Sequence, residues 1–240
     1  MENPGYVVLS RQKALGNAMN TIANNIANIN TPGYQSEQMT FKEYIADPQG
    51  SKSPIKMVID HGLWRDTSGG PLKPTGNALD VAIHGDGYFG VLTPSGEIQY
   101  TRAGNFTLDA EGQIVNANGY PIVDDGGGTI TIPEDARDIK IQKNGMVSTE
   151  KGELSRLMVA RFDDEQEMKK QGNGLLSGGT PIIVEEPDVK QGFLEGSNVR
   201  GVIEITKMID VSRAYQGTQN MNQGEHERLS NMIRKLSQTS

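Results

Sequence analysis

Residues 6–29 read YVVLSRQKALGNAMNTIANNIANI, and residues 202–236 read VIEITKMIDVSRAYQGTQNMNQGEHERLSNMIRKL. They are the two stretches with sustained helical periodicity, and what they bury against decides the fold. Leu15, Met19, Ile22, Ile26 and Ile29 follow one another at alternating four- and three-residue steps, with Val8 a heptad before Leu15. That spacing places them on one narrow stripe, the pattern of a coiled-coil seam. In the second stretch Met208, Val211 and Tyr215 keep the same rhythm. It passes through polar Thr218, Asn222 and Glu225 and resumes at Leu229, Met232 and Leu236. Two narrow apolar stripes at opposite ends of one chain bury each other, or bury against further copies of the chain. This is the layout of a polymer subunit more than of an enzyme.

Working inward, the first helix has a stop signal at Thr31-Pro32-Gly33-Tyr34. Pro32 biases Thr31 away from helix, and Gly33 takes a turn conformation at little cost. Just before it, Asn24, Asn25 and Asn28 flank the seam, although asparagine is a poor helix former. Two readings stand: fraying near a C-cap, or amides that bond across to neighbouring helices. Residues 35–78 read as an irregular connecting segment, in which QSEQMTFKEYIAD extends or restarts a short helix. Within it IKMVID (Ile55–Asp60) alternates like a strand, and SGGPLKPTGN (Ser68–Asn77) is loop.

From Leu79 the period changes to two. LDVAIH, GYFGVL, IQYTR, NFTLD, QIVN, TITIP, IKIQ, LSRLMVARF and IIVEE are short strands separated by Gly-rich turns. The expected fold class is mainly β with terminal α-helices. The N- and C-terminal helices pair as a coiled-coil-like stalk, and the central body is antiparallel β. The expected boundaries are residues 1–34 for the N-terminal assembly helix, 35–78 for the connecting segment, 79–196 for the β body and 197–240 for the C-terminal assembly helix.

Composition agrees with a turn-rich body without one dense core. Of 240 residues, 35% are hydrophobic, 5% are aromatic and 29 are glycine. A net charge of −7 argues against a nucleic-acid partner, which needs a clustered basic face. No apolar run reaches the length of a membrane span. The opening MENPGYVVLSRQ lacks a basic n-region followed by an apolar h-region, so no cleaved secretory signal is expected. Zero cysteines exclude disulfides, thiolate metal sites and cysteine nucleophiles.

Candidate chemistry does not converge. Gly85-Asp86-Gly87-Tyr88-Phe89-Gly90 matches GxGxxG and follows a strand, but VLTPSGE continues it as strand and turn. A dinucleotide site needs a helix opening there, so a tight β-hairpin turn explains the glycines. His61, His84 and His226 are far apart and lack metal-ligand spacing. Asp124-Asp125 and Asp163-Asp164-Glu165 sit in polar or Gly-rich turns, where carboxylates are ordinarily solvated. No catalytic residue, cofactor or metal is expected.

Four blocks of sequence together carry a family resemblance. Ala23–Asn28 (ANNIAN) with Asn30–Tyr34 (NTPGY) resembles the N-terminal signature of the bacterial flagellar axial proteins of the rod and hook group. LDVAIHGDGYF (Leu79–Phe89) and YTRAGNFTLDAEGQIVNANGYPI (Tyr100–Ile122) resemble blocks of their central region. GSNV (Gly196–Val199) and DVSRAY (Asp210–Tyr215) resemble their C-terminal pattern. Within that family the length and the phrase FLEGSNV (Phe193–Val199) are most similar to proximal-rod members, with distal-rod members as the alternative.

The resemblance implies export by the flagellar type III apparatus without a cleaved signal, and assembly into the periplasm-spanning rod that transmits torque to the hook. The implied partners are copies of the chain, other axial rod proteins and the export apparatus. The residues expected at the assembly interface are Leu15, Met19, Ile22, Asn25, Ile26, Asn28, Met208, Val211, Tyr215, Leu229 and Met232. Outside the family, the competing readings are a soluble β-rich ligand-binding module and a hydrolase built on Asp124 and Asp125.

Overall fold

The computed structural model describes residues 3–46, 55–136 and 138–238. The side chains of residues 3–6, 41–61, 233 and 236–238, Leu236 among them, and those of Leu229 and Met232 lie outside what it describes. The chain forms two units: Met1–Ala27, Glu37–Arg65 and Arg200–Ser240 make one, and Asn28–Ser36 with Asp66–Val199 make the other. Mainly β structure lies between an N-terminal and a C-terminal helix, as expected.

In the first unit, α1 (Asn3–Ala27) packs against α2 (Gly201–Gln238) and against a hairpin of β1 (Glu37–Ala46) and β2 (Ile55–Arg65). The helices run antiparallel, because Gln12 bonds Tyr215 while Asn25 bonds Glu204. The hairpin corrects the reading of residues 35–47 as a short helix and of 35–78 as irregular. MTFKEYIA does alternate, but Lys42-Glu43 blurs the period, and pairing with β2 overrides the local preference. Register runs from Glu37↔Arg65 to Ala46↔Ile55, with a bulge between Thr40 and Phe41.

Because α1 faces two partners, its buried face is not the expected seam. Val8, Ala14, Ala18, Thr21, Ile22 and Asn25 are buried, while Leu15, Met19 and Ile26 are half-buried at the edge. Apart from Val8 and Ile22 the stripe is displaced by one residue, about 100° around the helix. Ala14 and Ala18 sit where a small side chain allows close approach, and Leu15 and Met19 flank them. On α2, buried Glu204 and Thr218 share a face with half-buried Met208, Val211 and Tyr215.

The second unit is antiparallel throughout. Its largest sheet has six strands, in the order β13 (Lys169–Gly172), β14 (Leu175–Ser177), β6 (Ile98–Thr101), β5 (Tyr88–Leu92), β12 (Val159–Arg161) and β15 (Ile182–Ile183). Strand alternation sends Phe89, Val91 and Val159 into one core cluster with Val81, Phe106 and Ile122, and Tyr88, Met158 and Ala160 into a second with Tyr100 and Phe162. Around it lie β3 (Leu72–Pro74) paired with β17 (Phe193–Glu195), and β4 (Val81–Ile83) paired with β16 (Val189–Gln191). The stretch Thr129–Pro133, read as a strand, makes only isolated bridges.

Candidate assembly surface

Two asparagines and one buried ion pair fix the segments that lead into and out of the helices. Asn25 is 1% exposed, although it lies in a helix of polar neighbours. Its Nδ2 donates to the Glu37 carbonyl at 2.8 Å and to Glu204 Oε2 at 3.1 Å, and its Oδ1 accepts the Glu37 N–H at 3.0 Å. The amide thus mimics a strand neighbour for the start of β1 and at the same time holds the first turn of α2. Glu204 is completed by Lys207 Nζ at 2.7 Å. Of the two readings of the asparagines, fraying does not describe Asn25; its amide bonds across to a neighbouring helix, which is α2 of the same chain. Asn28 is half-buried and ends the first helix by accepting the Thr31 N–H and hydroxyl, both at 3.1 Å.

In the second unit Asn198, from GSNV, plays the matching part. Its Oδ1 accepts the Ser36 N–H at 2.8 Å, and its Nδ2 donates to the carbonyls of Asp66 and Ser68, both at 2.9 Å. Gly33 adopts φ +65, the turn that Pro32-Gly33 announces, and donates its N–H to the Glu195 carbonyl at 2.9 Å. A Cβ there would lie 2.4 Å from the Arg102 carbonyl carbon, so only glycine fits.

Beneath this strap, Arg102 and Glu195 form an ion pair at 3.3 Å with side chains 2% and 3% exposed. Arg102 Nη1 also donates to the Gly85 carbonyl at 2.7 Å, and its guanidinium lies 5.1 Å from the Tyr88 ring centroid. Glu195 Oε1 accepts the Gly70 N–H at 2.9 Å. Burial pushes the Glu195 carboxyl above its ordinary pKa, and the Arg102 charge and the Gly70 N–H offset this only in part. The Tyr88 hydroxyl donates to Glu165 at 2.7 Å and receives Gln35 at 3.1 Å.

These contacts absorb the motifs that suggested chemistry. The Gly85-Asp86-Gly87 turn carries the chain from β4, paired with β16, to β5 in the large sheet; it is not the turn of a hairpin between them. Gly85 supplies a carbonyl to Arg102. Asp124 Oδ1 accepts the N–H groups of Gly126 and Gly128, and Asp164 caps the short turn at Glu165–Glu167. His84 pairs with Asp188 at 3.1 Å. Among the described residues no helix is long and apolar enough to cross a membrane.

What remains open is apolar. Val202, Ile205 and Ile209 follow one another at three- and four-residue steps on α2 and are 81%, 52% and 46% exposed, with Ile203 beside them at 43%. On α1, Leu9 is 60% exposed. Such a stripe on a monomer marks a surface meant to be covered. The stripe is readable in the sequence, but on the same helix Met208, Val211 and Tyr215 form a competing stripe that drew the assignment. Arg102, Glu195 and Asn198 were legible only as parts of quoted motifs.

The described chain comprises a β-rich unit and a helical unit with an exposed apolar stripe on α2. Comparison with known proteins places it more closely. Residues 6–35 match the family model for flagella basal body rod protein, residues 82–149 that for the flagellar hook protein FlgE/F/G D1 domain, and residues 190–235 that for the flagellar basal body rod FlgEFG protein C-terminal region. The chain is 40% identical over 227 residues to the flagellar basal-body rod protein FlgF of Caulobacter vibrioides, covering 92% of each. It is 34% identical over 222 residues to FlgF of Rhizobium meliloti, covering 90% of each. With the rod protein FlgG of Agrobacterium fabrum it shares 37% identity over 228 residues, 82% of this chain and 86% of that one. The chain belongs to the family of bacterial flagellar basal-body rod proteins.

Proposed function

We propose that the chain is a structural subunit of the flagellar basal-body rod, of the FlgF type, and not an enzyme. The exposed α2 stripe carries this reading, because it lies in the segment that matches the rod C-terminal model. Copies of the chain and other rod proteins cover the stripe in the assembled rod, where the terminal helices act as a coiled-coil-like stalk and transmit torque to the hook. Leu15, Met19 and Ile26 join it from α1, and Met208, Val211 and Tyr215 hold the helices in register. The subunit reaches the periplasm-spanning rod through the flagellar export apparatus without a cleaved signal. The FlgF type is preferred to the FlgG type because the 40% identity with the Caulobacter vibrioides FlgF, over 92% of each chain, exceeds the 37% identity with the Agrobacterium fabrum FlgG.

Deleting the gene is expected to leave cells without hooks and filaments, and re-expression of the chain is expected to restore them. The subunit should be present by mass spectrometry in purified basal bodies of the complemented strain. Normal flagella in the deletion strain, with no paralogue in the basal body, would overturn the reading.

A further inference from the structure

The chain contains three Asn-Gly pairs, at Asn118-Gly119, Asn144-Gly145 and Asn173-Gly174. Each is intrinsically prone to attack of the glycine nitrogen on the asparagine side-chain amide, and the fold treats them differently. The Gly119 N–H is held by the Asn116 carbonyl at 2.9 Å, and Asn118 Nδ2 donates to the Asn173 carbonyl at 3.2 Å. The Gly145 N–H is held by the Gln142 carbonyl at 2.9 Å, and Asn144 Oδ1 accepts the Met146 N–H at 3.1 Å. In both pairs the attacking nitrogen and the side chain under attack are engaged.

Asn173-Gly174 forms the two-residue turn between β13 and β14, with φ +52 and +73, as expected of Asn-Gly in a hairpin. Both residues are exposed, and so is every residue of β13, which lies at the edge of the large sheet. Among the described residues, no hydrogen bond engages the Asn173 side chain or the Gly174 N–H. The left-handed turn must open for the attack, and an edge hairpin whose outer strand buries no residue opens at low cost.

We propose that Asn173 is the site at which the folded chain deamidates. The Gly174 nitrogen, losing its proton, forms a bond to Asn173 Cγ, and the side-chain nitrogen leaves as ammonia to give a succinimide. Water then cleaves one of the two ring C–N bonds, yielding aspartate or isoaspartate. The isoaspartate product adds a methylene to the main chain at the turn. It displaces the Gly174 carbonyl, which accepts Thr101 Oγ1 at 3.0 Å, and loosens β14, whose Leu175 and Leu176 are buried.

The test is peptide mapping of the full-length folded protein after incubation in mildly alkaline buffer, with fragmentation that distinguishes isoaspartate. The Asn173 peptide should convert roughly fivefold or more faster than those of Asn118 and Asn144, the rate factor that one turn hydrogen bond withholds. In urea the three rates should converge. Conversion of Asn118 or Asn144 at the rate of Asn173 in the folded chain, the same order in urea, or no conversion of folded Asn173 while the unfolded chain reacts would each overturn the proposal.

Discussion

Replacing Ile205 with aspartate is expected to abolish incorporation of the subunit into basal bodies, and with it swimming, while the free chain stays folded. Ile205 is 52% exposed and lies between Val202 and Ile209 on the open stripe. In the free chain the aspartate meets water, and the only cost is a helix preference of well under about 1 kcal/mol. In the rod the same carboxylate is enclosed without a partner, at a cost of about 3–5 kcal/mol for every copy. Thermal unfolding by circular dichroism should change little, whereas motility in soft agar and subunit recovery in basal bodies should fall to background. An unfolded monomer would mean that the stripe is part of the chain's own core. A motile strain would mean that the face stays open in the rod.

Replacing Arg102 with methionine should be the most destabilising single change in the β body. It strips the countercharge from Glu195 in a site where both side chains are nearly inaccessible. A buried pair broken from one side costs about 3–5 kcal/mol, a large part of the stability of a single domain. The double variant Arg102→Met/Glu195→Leu should recover part of the loss, since no buried charge is then left alone.

The pH dependence has a definite sign. The folded carboxyl of Glu195 is raised above its unfolded value, so the folded chain binds the proton more tightly. Its contribution to stability is complete below the unfolded value and is lost as pH rises through the folded one. Arg102→Met therefore weakens the body most at neutral pH and recovers as pH falls toward the ordinary carboxylate range. Denaturant unfolding at several pH values reads this directly, and a deficit that grows on acidification would contradict it.

Elements governed by local chemistry were legible before the structure. The two helices followed from three–four spacing, the β strands from period-two runs between glycine turns, and the end of α1 from Pro32-Gly33. What was hidden depends on partners distant in sequence. The strand at Glu37–Ala46 is defined by its pairing with Ile55–Arg65, and no local rule favours it over a helix across Lys42-Glu43. On α1 the spacing picks out Leu15 and Met19 for a single partner, whereas the helix packs against both α2 and the hairpin and buries Ala14 and Ala18 instead. Asn25 looked anomalous because its partners lie 12 and 179 residues away, and Arg102 meets Glu195 across 93 residues.

The central claim is that the open face of α2 is covered in the rod. The absence of native cysteine gives a clean background in which to test it. A Val202→Cys variant, at a position 81% exposed in the free chain, should react fully with a maleimide reagent as purified monomer and resist it in intact basal bodies. Equal labelling of the two states, in a strain that still swims, would contradict the claim.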